Sequence, residues 1–289
     1  MKLDPIALDR LIELALAEDI GTGDVTTEAL IPEDHRVWAY FLAKGDGVIA
    51  GLDLAGRVFA RLDPTVVFHG RVADGDRVVK GTILAVLEGS TRAILSGERV
   101  ALNLLQRLSG IATMARKATE VARAANPKVC VVDTRKTTPG LRSLEKYAVR
   151  CGGAKNHRFG LYDAALIKDN HIVAAGGVGP AVKAVKTAVS PFTKVEVEVQ
   201  NLAQVEQALA AGAEVIMLDN MSLEEMRGAV TRIGGRATVE ASGGINLDGL
   251  AEVAATGVDL ISMGALTHSV KAMDISLEIG PEPGRPGPA

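Results

Sequence analysis

Residues 194–199 read Lys-Val-Glu-Val-Glu-Val, which is the alternating pattern of a half-polar β-strand. Because side chains alternate along a strand, the three valines lie on one side of it and Glu196 and Glu198 on the other. If the valines pack against helices, both carboxylates point into the interior of a barrel. Burying carboxylates is unfavourable unless a cation or a ligand meets them, so the stretch predicts a binding site inside such a barrel.

Five more apolar runs of strand length lie on either side of this stretch. They are Val129–Val132, Ala164–Ile167, Val215–Leu218, Thr238–Glu240 and Leu260–Met263. Between most of the later runs lie alanine-rich helical segments, which are Asn201–Ala211, Ser222–Ile233 and Leu247–Thr256. Regular alternation of strand and helix predicts βα units around a parallel sheet, which is either open or closed into a barrel.

Nearly every predicted strand ends in charged residues, serine or glycine. The strand ends are Asp133–Lys136, Lys168–His171, Glu198, Asp219 with Asn220, Ser242–Gly244 and Gly264. In a βα barrel the C-terminal strand ends form the active-site face, so these residues are expected to converge on one mouth. The alternative, that polar residues merely begin the loops, stays open at this point.

The first part of the chain has a different pattern. Residues 4–18 predict an amphipathic helix, and residues 36–90 predict short strands separated by glycine-rich turns. Residues 94–125 read as helical again, with a break at Gly110. We therefore expect one domain over residues 1–110 and a second over 111–280. The proline- and glycine-rich tail, residues 281–289, is predicted to be disordered.

Composition excludes several classes of protein. Hydrophobic residues make up 47% of the chain, charged residues 23%, and the net charge is −3. This balance argues against a disordered chain, and nucleic-acid binding finds no support without a basic excess. No apolar run approaches the ~18 residues of a membrane helix, and the N-terminus lacks a secretory signal. Cys130 and Cys151 are too few for a disulfide scaffold, so we expect a reducing cytoplasm.

Basic residues are concentrated between Asp133 and His171. This segment carries a net charge of +4, whereas the rest of the chain carries −7. A local basic excess in an acidic chain predicts a pocket for a small polyanion. Arg142, Lys146 and Arg150 lie on one face of a predicted helix and are expected to be partly a solvated surface.

Two further patterns point to a phosphorylated substrate. Glu198 and Asp219 end successive strands and are candidate ligands for Mg²⁺, although ordinary ion pairs to Lys168 or Lys136 explain them equally well. Glycines after the last two predicted strands are typical of a phosphate cradle built from backbone N–H groups. The segments concerned are Ser242–Gly244 and Gly264–Ala265.

Several motifs resemble those of the nicotinate-nucleotide pyrophosphorylase (carboxylating) family, also called quinolinate phosphoribosyltransferases. The similar segments are residues 18–27, 97–99, 108–110, 133–140, 145–147, 152–153, 156–158 and 168–171, in one order over about residues 6–280. The resemblance implies an α/β fold, with an N-terminal α/β sandwich domain and a C-terminal open α/β barrel of about seven strands. Six strands are predicted above, so one is short or missed.

The resemblance also implies the site residues. Quinolinate would contact Arg135, His157, Arg158 and Lys168, with Arg99 contributed by the neighbouring subunit of a homodimer or dimer-based hexamer. Phosphoribosyl pyrophosphate (PRPP) and Mg²⁺ would be handled by Lys136, Lys168, Glu198 and Asp219, of which Glu198 and Asp219 hold the metal, partly through water. The remaining substrate contacts implied are Thr134, Ser242, Gly243, Gly244, Met263, Gly264 and Ala265, the last six around the 5′-phosphate.

The implied reaction joins quinolinate to PRPP and gives nicotinate mononucleotide, pyrophosphate and CO₂, as in NAD biosynthesis, without an organic cofactor. One alternative is a paralogue on the same scaffold, either of the molybdenum-transport-associated type or a nicotinate phosphoribosyltransferase. A second alternative is a biotinyl or lipoyl carrier domain, because residues 72–84 resemble the strands of such domains. That alternative is disfavoured because Lys44, the nearest candidate for modification, has the wrong neighbours.

Overall fold

The computed structural model describes residues 3–281 and shows a mixed α/β fold with a parallel and an antiparallel sheet, as predicted. Residues 281–289 are predicted to be a disordered tail, and residues 282–289 lie outside the described part of the chain. In chain order the elements are α1 Pro5–Ile20, α2 Val25–Leu30, β1 Arg36–Ala43, β2 Gly47–Val48, α3 Leu52–Leu62, β3 Val67–Gly70, β4 Arg77–Val78, β5 Ile83–Ser90, α4 Thr91–Ala125, β6 Cys130–Val132, α5 Arg142–Cys151, β7 Ala165–Ile167, α6 Asp169–Ala174, α7 Val178–Ala188, β8 Val195–Val199, α8 Leu202–Ala210, β9 Val215–Asp219, α9 Leu223–Ile233, β10 Thr238–Ser242, α10 Leu250–Ala254, β11 Leu260–Ser262, α11 Ala265–His268 and β12 Ile275–Ile279.

The described chain forms two compact units that are not continuous in sequence. The first comprises residues 3–114, 140–153 and 270–281, and the second comprises residues 115–139 and 154–269. A boundary at residue 110 does not anticipate the two later segments of the first unit. Residues 270–281 belong to the first unit because they contain β12, which pairs antiparallel with β1. Such pairing leaves no local pattern in the sequence.

The first unit is built on a four-stranded antiparallel sheet in the order β12-β1-β5-β3, with a separate pair of short strands, β2 and β4. Helix α1 begins after Asp4, whose side chain accepts a hydrogen bond from the Ile6 N–H at 3.0 Å. This cap and the proline at position 5 explain why the predicted amphipathic helix starts here.

Helix α3 interrupts the region that was predicted to contain only short strands. Its buried residues, Leu52, Leu54, Ala55, Val58 and Phe59, mostly recur at helical spacing. The prediction for residues 36–90 was therefore incomplete, because the many glycines were interpreted only as turns between strands.

Helix α4 runs without interruption from Thr91 to Ala125, so the predicted break at Gly110 is wrong. Gly110 has a packing role instead. A Cβ at this position would collide with the backbone carbonyl oxygen of Lys271. Only glycine lets the two backbones approach so closely.

The second unit is the α/β barrel. Its six parallel strands lie in the order β6-β11-β10-β9-β8-β7, and all six correspond to the predicted runs. A seventh, strand-like position is present at Lys155, which forms a single parallel bridge with Val132 beside β6. This bridge accounts for the strand that the sequence pattern does not show, because one residue cannot produce an alternating pattern.

None of the helices within residues 3–281 combines the length and the apolar character needed to cross a bilayer.

Candidate active site

The C-terminal strand ends of the barrel surround a cavity of about 700 Å³. Its wall is formed by residues of strands β7 to β11 and of the segments that follow β6 and these five strands. The lining residues are Thr134, Arg135, Lys136, His157, Arg158, Leu166, Lys168, Glu198, Met217, Asp219, Asn220, Glu240, Ser242, Gly243, Gly244, Ile245, Asn246, Ser262, Gly264, Ala265 and His268. Polar residues that are more than 100 positions apart in sequence therefore converge on one mouth, which loop punctuation alone does not explain.

Most of the residues predicted for the site line this cavity, but Met263 and Arg99 do not. Met263 is 1% exposed, and its backbone N–H donates to the carbonyl oxygen of Val132 at 2.9 Å. Arg99 is an exposed residue of α4 in the first unit.

Both candidate metal ligands keep one carboxylate oxygen without a partner. Glu198 Oε2 lies 2.9 Å from Lys168 Nζ, and Asp219 Oδ2 accepts a hydrogen bond from Asn220 Nδ2 at 3.0 Å. Glu198 Oε1 and Asp219 Oδ1 have no hydrogen-bond partner among the residues that the structure describes. Two carboxylates on neighbouring strands fit Mg²⁺, which usually takes one or two protein carboxylates and completes its shell with water and substrate. The ion pair to Lys168, the competing prediction for Glu198, is also present.

The glycine loop after β10 has the geometry of an anion-binding nest. Gly243 and Gly244 both have positive φ, at 96° and 59°. Their backbone N–H groups have no hydrogen-bond partner among residues 3–281. Consecutive free N–H groups in this conformation form a concavity that suits phosphate oxygens.

The loop that carries Lys136 is held by a hydrogen bond to its backbone. The hydroxyl of Thr267, a wholly buried residue of α11, donates to the Lys136 carbonyl oxygen at 2.7 Å. The side chain of Lys136 remains exposed at the cavity and passes close to Gly264. This arrangement places a lysine beside the second glycine segment of the predicted phosphate site.

Asp133 organises the part of the wall formed by residues 156–158. This residue is wholly buried at the end of β6, and its carboxylate accepts hydrogen bonds from the His157 backbone N–H at 2.9 Å and from Asn156 Nδ2 at 2.6 Å. A buried carboxylate with two donors is a rigid anchor. It holds the segment that presents His157 and Arg158 to the cavity.

A buried cluster of one histidine and two glutamates lies at the cavity. His157 Nε2 is 3.2 Å from Glu196 Oε2 and 3.3 Å from Glu240 Oε2. Glu240 is wholly buried and Glu196 is 5% exposed. The inward direction of Glu196 is the one predicted from the alternation at residues 194–199, and the group that meets it is the imidazole of His157.

The cluster retains a proton. Burial lowers the pKa of His157, but its contacts with Glu196 and Glu240 outweigh burial and raise that pKa to about 10. The backbone N–H of Arg158 donates to His157 Nδ1 at 2.7 Å, so Nδ1 carries a lone pair. Both observations hold if the retained proton sits on Glu196, whose pKa burial raises, and His157 is the neutral tautomer with its proton on Nε2.

This tautomer also decides whether the cluster fits a metal ion. The three ligand atoms of His157, Glu196 and Glu240 lie within 4.8 Å of one another, which is close enough to share an ion. Coordination through Nε2 would require a proton on Nδ1, and that proton would face the Arg158 N–H. The cluster therefore fits a shared proton better than a metal.

Two arginines bring positive charge to the same wall. Burial lowers the pKa of Arg158, and the neighbouring Arg135 guanidinium lowers it further. Two guanidinium groups that repel each other are stabilised by an anion between them, and each offers a planar fork to a carboxylate. The pair therefore fits a ligand with two carboxylates.

Lys146 is buried rather than solvated, unlike the prediction for its helix face. Lys146 is wholly buried in α5, so the expectation that Arg142, Lys146 and Arg150 share a solvated face is wrong at its centre. Glu145, its neighbour in the sequence, is also wholly buried and lies 2.6 Å from Arg107 Nη2. Charge spacing alone does not separate a solvated helix face from a buried ionic one.

Sequence reasoning missed several polar lining residues, which are Glu240, Asn246, Ser262 and His268. Glu240 could have been found, because it lies inside an apolar run in the same way as Glu196. Asn220 was noted only as a strand-end residue next to Asp219. His268 lies on the four-residue helix α11, and no pattern of its neighbours distinguishes it.

Comparison with known proteins gives matches over nearly the whole chain. The sequence models of the N-terminal and C-terminal domains of quinolinate phosphoribosyl transferase match residues 24–109 and 111–278. A probable nicotinate-nucleotide pyrophosphorylase (carboxylating) of Bacillus subtilis is 46% identical over 277 residues, covering 96% of this chain and 95% of that protein. The chloroplastic nicotinate-nucleotide pyrophosphorylase (carboxylating) of Arabidopsis thaliana is 47% identical over 294 residues, covering 95% of this chain and 83% of that protein.

A solved structure has the same fold as this chain. The crystal structure of NadC from Streptococcus pyogenes superposes with a TM-score of 0.92 at 43% identity, covering 97% of this chain and 100% of that one. The matches extend over both units and include all the strand ends around the cavity. The chain therefore belongs to the quinolinate phosphoribosyltransferase family.

Proposed function

We propose that this protein transfers the phosphoribosyl group of PRPP to quinolinate with loss of CO₂, giving nicotinate mononucleotide and pyrophosphate for NAD biosynthesis. Membership of the family and identity of 46% over nearly the whole chain support this assignment. The observation that carries it is the cavity itself, which is lined by two arginines, a carboxylate pair and a glycine nest.

Quinolinate would bind at the wall formed by Arg135, His157, Arg158 and Lys168, with Thr134 beside it. Arg135 and Arg158 would each engage a carboxylate of the ring. His157 has contacts on both ring nitrogens, to two glutamates and to a backbone N–H, so its ring is held in one orientation. A fixed wall positions the pyridine nitrogen for attack, which lowers the entropic part of the barrier.

PRPP would lie between the carboxylate pair and the glycine segments. The free N–H groups of Gly243 and Gly244 would bind the 5′-phosphate, together with Ser242, Gly264 and Ala265. Glu198 and Asp219 would hold Mg²⁺, which neutralises charge on the diphosphate. Met263 would then act as core support for this segment, since it is 1% exposed.

The chemistry follows from this placement. The pyridine nitrogen forms a bond to the anomeric carbon of the ribose while the bond from that carbon to pyrophosphate breaks. Lys136 and Lys168 would stabilise the negative charge that develops on the leaving group. The alkylated ring nitrogen is positive, so it accepts the electron pair released when the adjacent carboxylate leaves as CO₂. A proton then replaces that carboxylate on the ring carbon. No organic cofactor is required.

The proposal includes a homodimer at minimum, in which Arg99 of the neighbouring subunit completes the quinolinate site. An exposed arginine outside the cavity suits such a role. Subunit complementation tests it: Arg99→Ala and Lys168→Met variants are each expected to be nearly inactive, and mixing them after mild dissociation is expected to restore about a quarter of the activity. An active monomer in sedimentation would contradict it.

We also propose a cytoplasmic location, since both cysteines are free thiols.

The reaction can be tested directly. Purified protein with quinolinate, PRPP and Mg²⁺ is expected to form nicotinate mononucleotide, identified by mass spectrometry. Nicotinate in place of quinolinate is the matched control, and it is expected to give little product because it offers only one carboxylate. Preference for nicotinate, or for neither acid, would favour a paralogue on this scaffold.

A further inference from the structure

Asn220 has an unusual backbone conformation at the cavity. With a φ of 54°, it is the single non-glycine residue in the described chain with a positive φ. It directly follows Asp219 at the end of β9 and lines the cavity. Side chains disfavour this left-handed region, and asparagine tolerates it best because its amide can form local hydrogen bonds. Residues held in this way cluster at functional sites.

The Asn220 amide fixes the Asp219 carboxylate. Asn220 Nδ2 donates to Asp219 Oδ2 at 3.0 Å, and Asp219 forms no other side-chain hydrogen bond within residues 3–281. This bond sets the rotation of the carboxylate and leaves Oδ1 free. A metal ligand held by a neighbouring donor in this way needs less ordering when the ion binds.

The same residue contacts the glycine nest. Its backbone N–H donates to the Ser242 carbonyl oxygen at 3.0 Å. A Cβ on Gly243 would collide with the Asn220 carboxamide and lie 2.9 Å from its backbone nitrogen. Gly243 therefore makes room for Asn220, in addition to providing a positive φ for the nest. One side chain thus packs against both anion-handling parts of the cavity.

We propose that Asn220 is a positioning residue that holds the Asp219 carboxylate and the Ser242–Gly244 loop in a fixed relation, so that a phosphorylated sugar diphosphate with its divalent cation can engage both at once. This inference rests on the proposed function and deepens it, because it concerns the PRPP half of the same site. It does not involve the quinolinate wall formed by Arg135 and Arg158.

The variant Asn220→Gly separates the amide from the backbone conformation. Glycine adopts a φ near 54° readily, so the turn is kept and only the amide is removed. We expect Mn²⁺ binding in the presence of PRPP, measured by electron paramagnetic resonance, to weaken about tenfold, the size of one lost hydrogen bond to a charged group. The KM for PRPP is expected to rise similarly, while the Kd for quinolinate and the urea midpoint stay at wild-type values.

Two comparison variants make the result specific. Asn220→Ala removes the amide and also disfavours the backbone conformation, so we expect the same loss of Mn²⁺ binding together with a lower urea midpoint. Asn201→Gly is the matched control, because Asn201 follows the neighbouring strand β8, caps α8 and does not line the cavity. Glycine is tolerated at a helix cap, so Mn²⁺ and PRPP binding should be unchanged.

The outcomes are distinguishable. Wild-type Mn²⁺ and PRPP binding by Asn220→Gly would overturn the inference, as would an equal loss of quinolinate binding, which would indicate a general structural role. A wild-type protein that makes no nicotinate mononucleotide or does not bind Mn²⁺ with PRPP would instead overturn the proposed function. That failure is visible before any variant is measured.

Discussion

Replacing Glu240 by glutamine tests whether the cluster of His157, Glu196 and Glu240 retains a proton beside the cavity. In the wild-type protein the pKa of His157 rises from 6.5 to about 10. Because the pKa in the folded state lies above that in the unfolded state, this proton stabilises the folded state fully below about pH 6.5. The stabilisation is lost as the pH rises toward about 10.

The size of this pH-dependent stabilisation follows from the contacts of His157 with the two glutamates. A rise in pKa from 6.5 to about 10 corresponds to about 5 kcal/mol of unfolding free energy. Glu196 and Glu240 lie at nearly equal distances from His157 Nε2, 3.2 and 3.3 Å, so we assign about half of the effect to each. Glu240→Gln should therefore reduce the loss of unfolding free energy between about pH 6 and pH 10 by about 2–3 kcal/mol.

Urea unfolding followed by circular dichroism at several pH values measures this difference. Glu206→Gln is the matched control, because Glu206 forms a half-exposed ion pair with Arg232 at 3.6 Å. Exposed pairs contribute little, so this control should show the pH dependence of the wild-type protein. If Glu240→Gln shows that dependence too, the assignment of the retained proton to this cluster is wrong.

Three further predictions follow from particular contacts. Arg135→Ala should weaken quinolinate binding about tenfold or more in calorimetry while PRPP binding largely survives, because a charged hydrogen bond contributes about 1.5–3 kcal/mol; equal loss of both would contradict our division of the cavity. Lys168→Met should lower kcat about 100-fold in a steady-state assay, the usual effect of removing one preorganised cationic or hydrogen-bonding group, and an unchanged kcat would remove Lys168 from the reaction. Gly110→Ala should lower the unfolding free energy by about 1–3 kcal/mol, because its Cβ would collide with the Lys271 carbonyl oxygen. Gly179→Ala is the control for Gly110→Ala, since a Cβ there has nothing within 4 Å and no loss is expected.

The barrel could be predicted because its signals are local. Each strand run, and each helix start such as Asn201 or Ser222, is visible within a few residues. The rule that strand ends form the active-site face then brought Lys168, Glu198 and Asp219 together without any knowledge of contacts. The cavity confirms that convergence.

The remaining features depend on contacts between distant residues, which no local pattern records. Gly110 looks like a helix break until the backbone of Lys271 is seen against it. Lys146 looks solvated because its spacing suits an exposed face, yet it is wholly buried. The conformation of Asn220 depends on the space left by Gly243, which the sequence shows only as one glycine among many.

Release of ¹⁴CO₂ from carboxyl-labelled quinolinate measures the proposed decarboxylating transfer itself. We expect wild-type protein to release label only when PRPP and Mg²⁺ are both present, in a one-to-one ratio with nicotinate mononucleotide. Release without PRPP, or consumption of PRPP with no release of label, would contradict it.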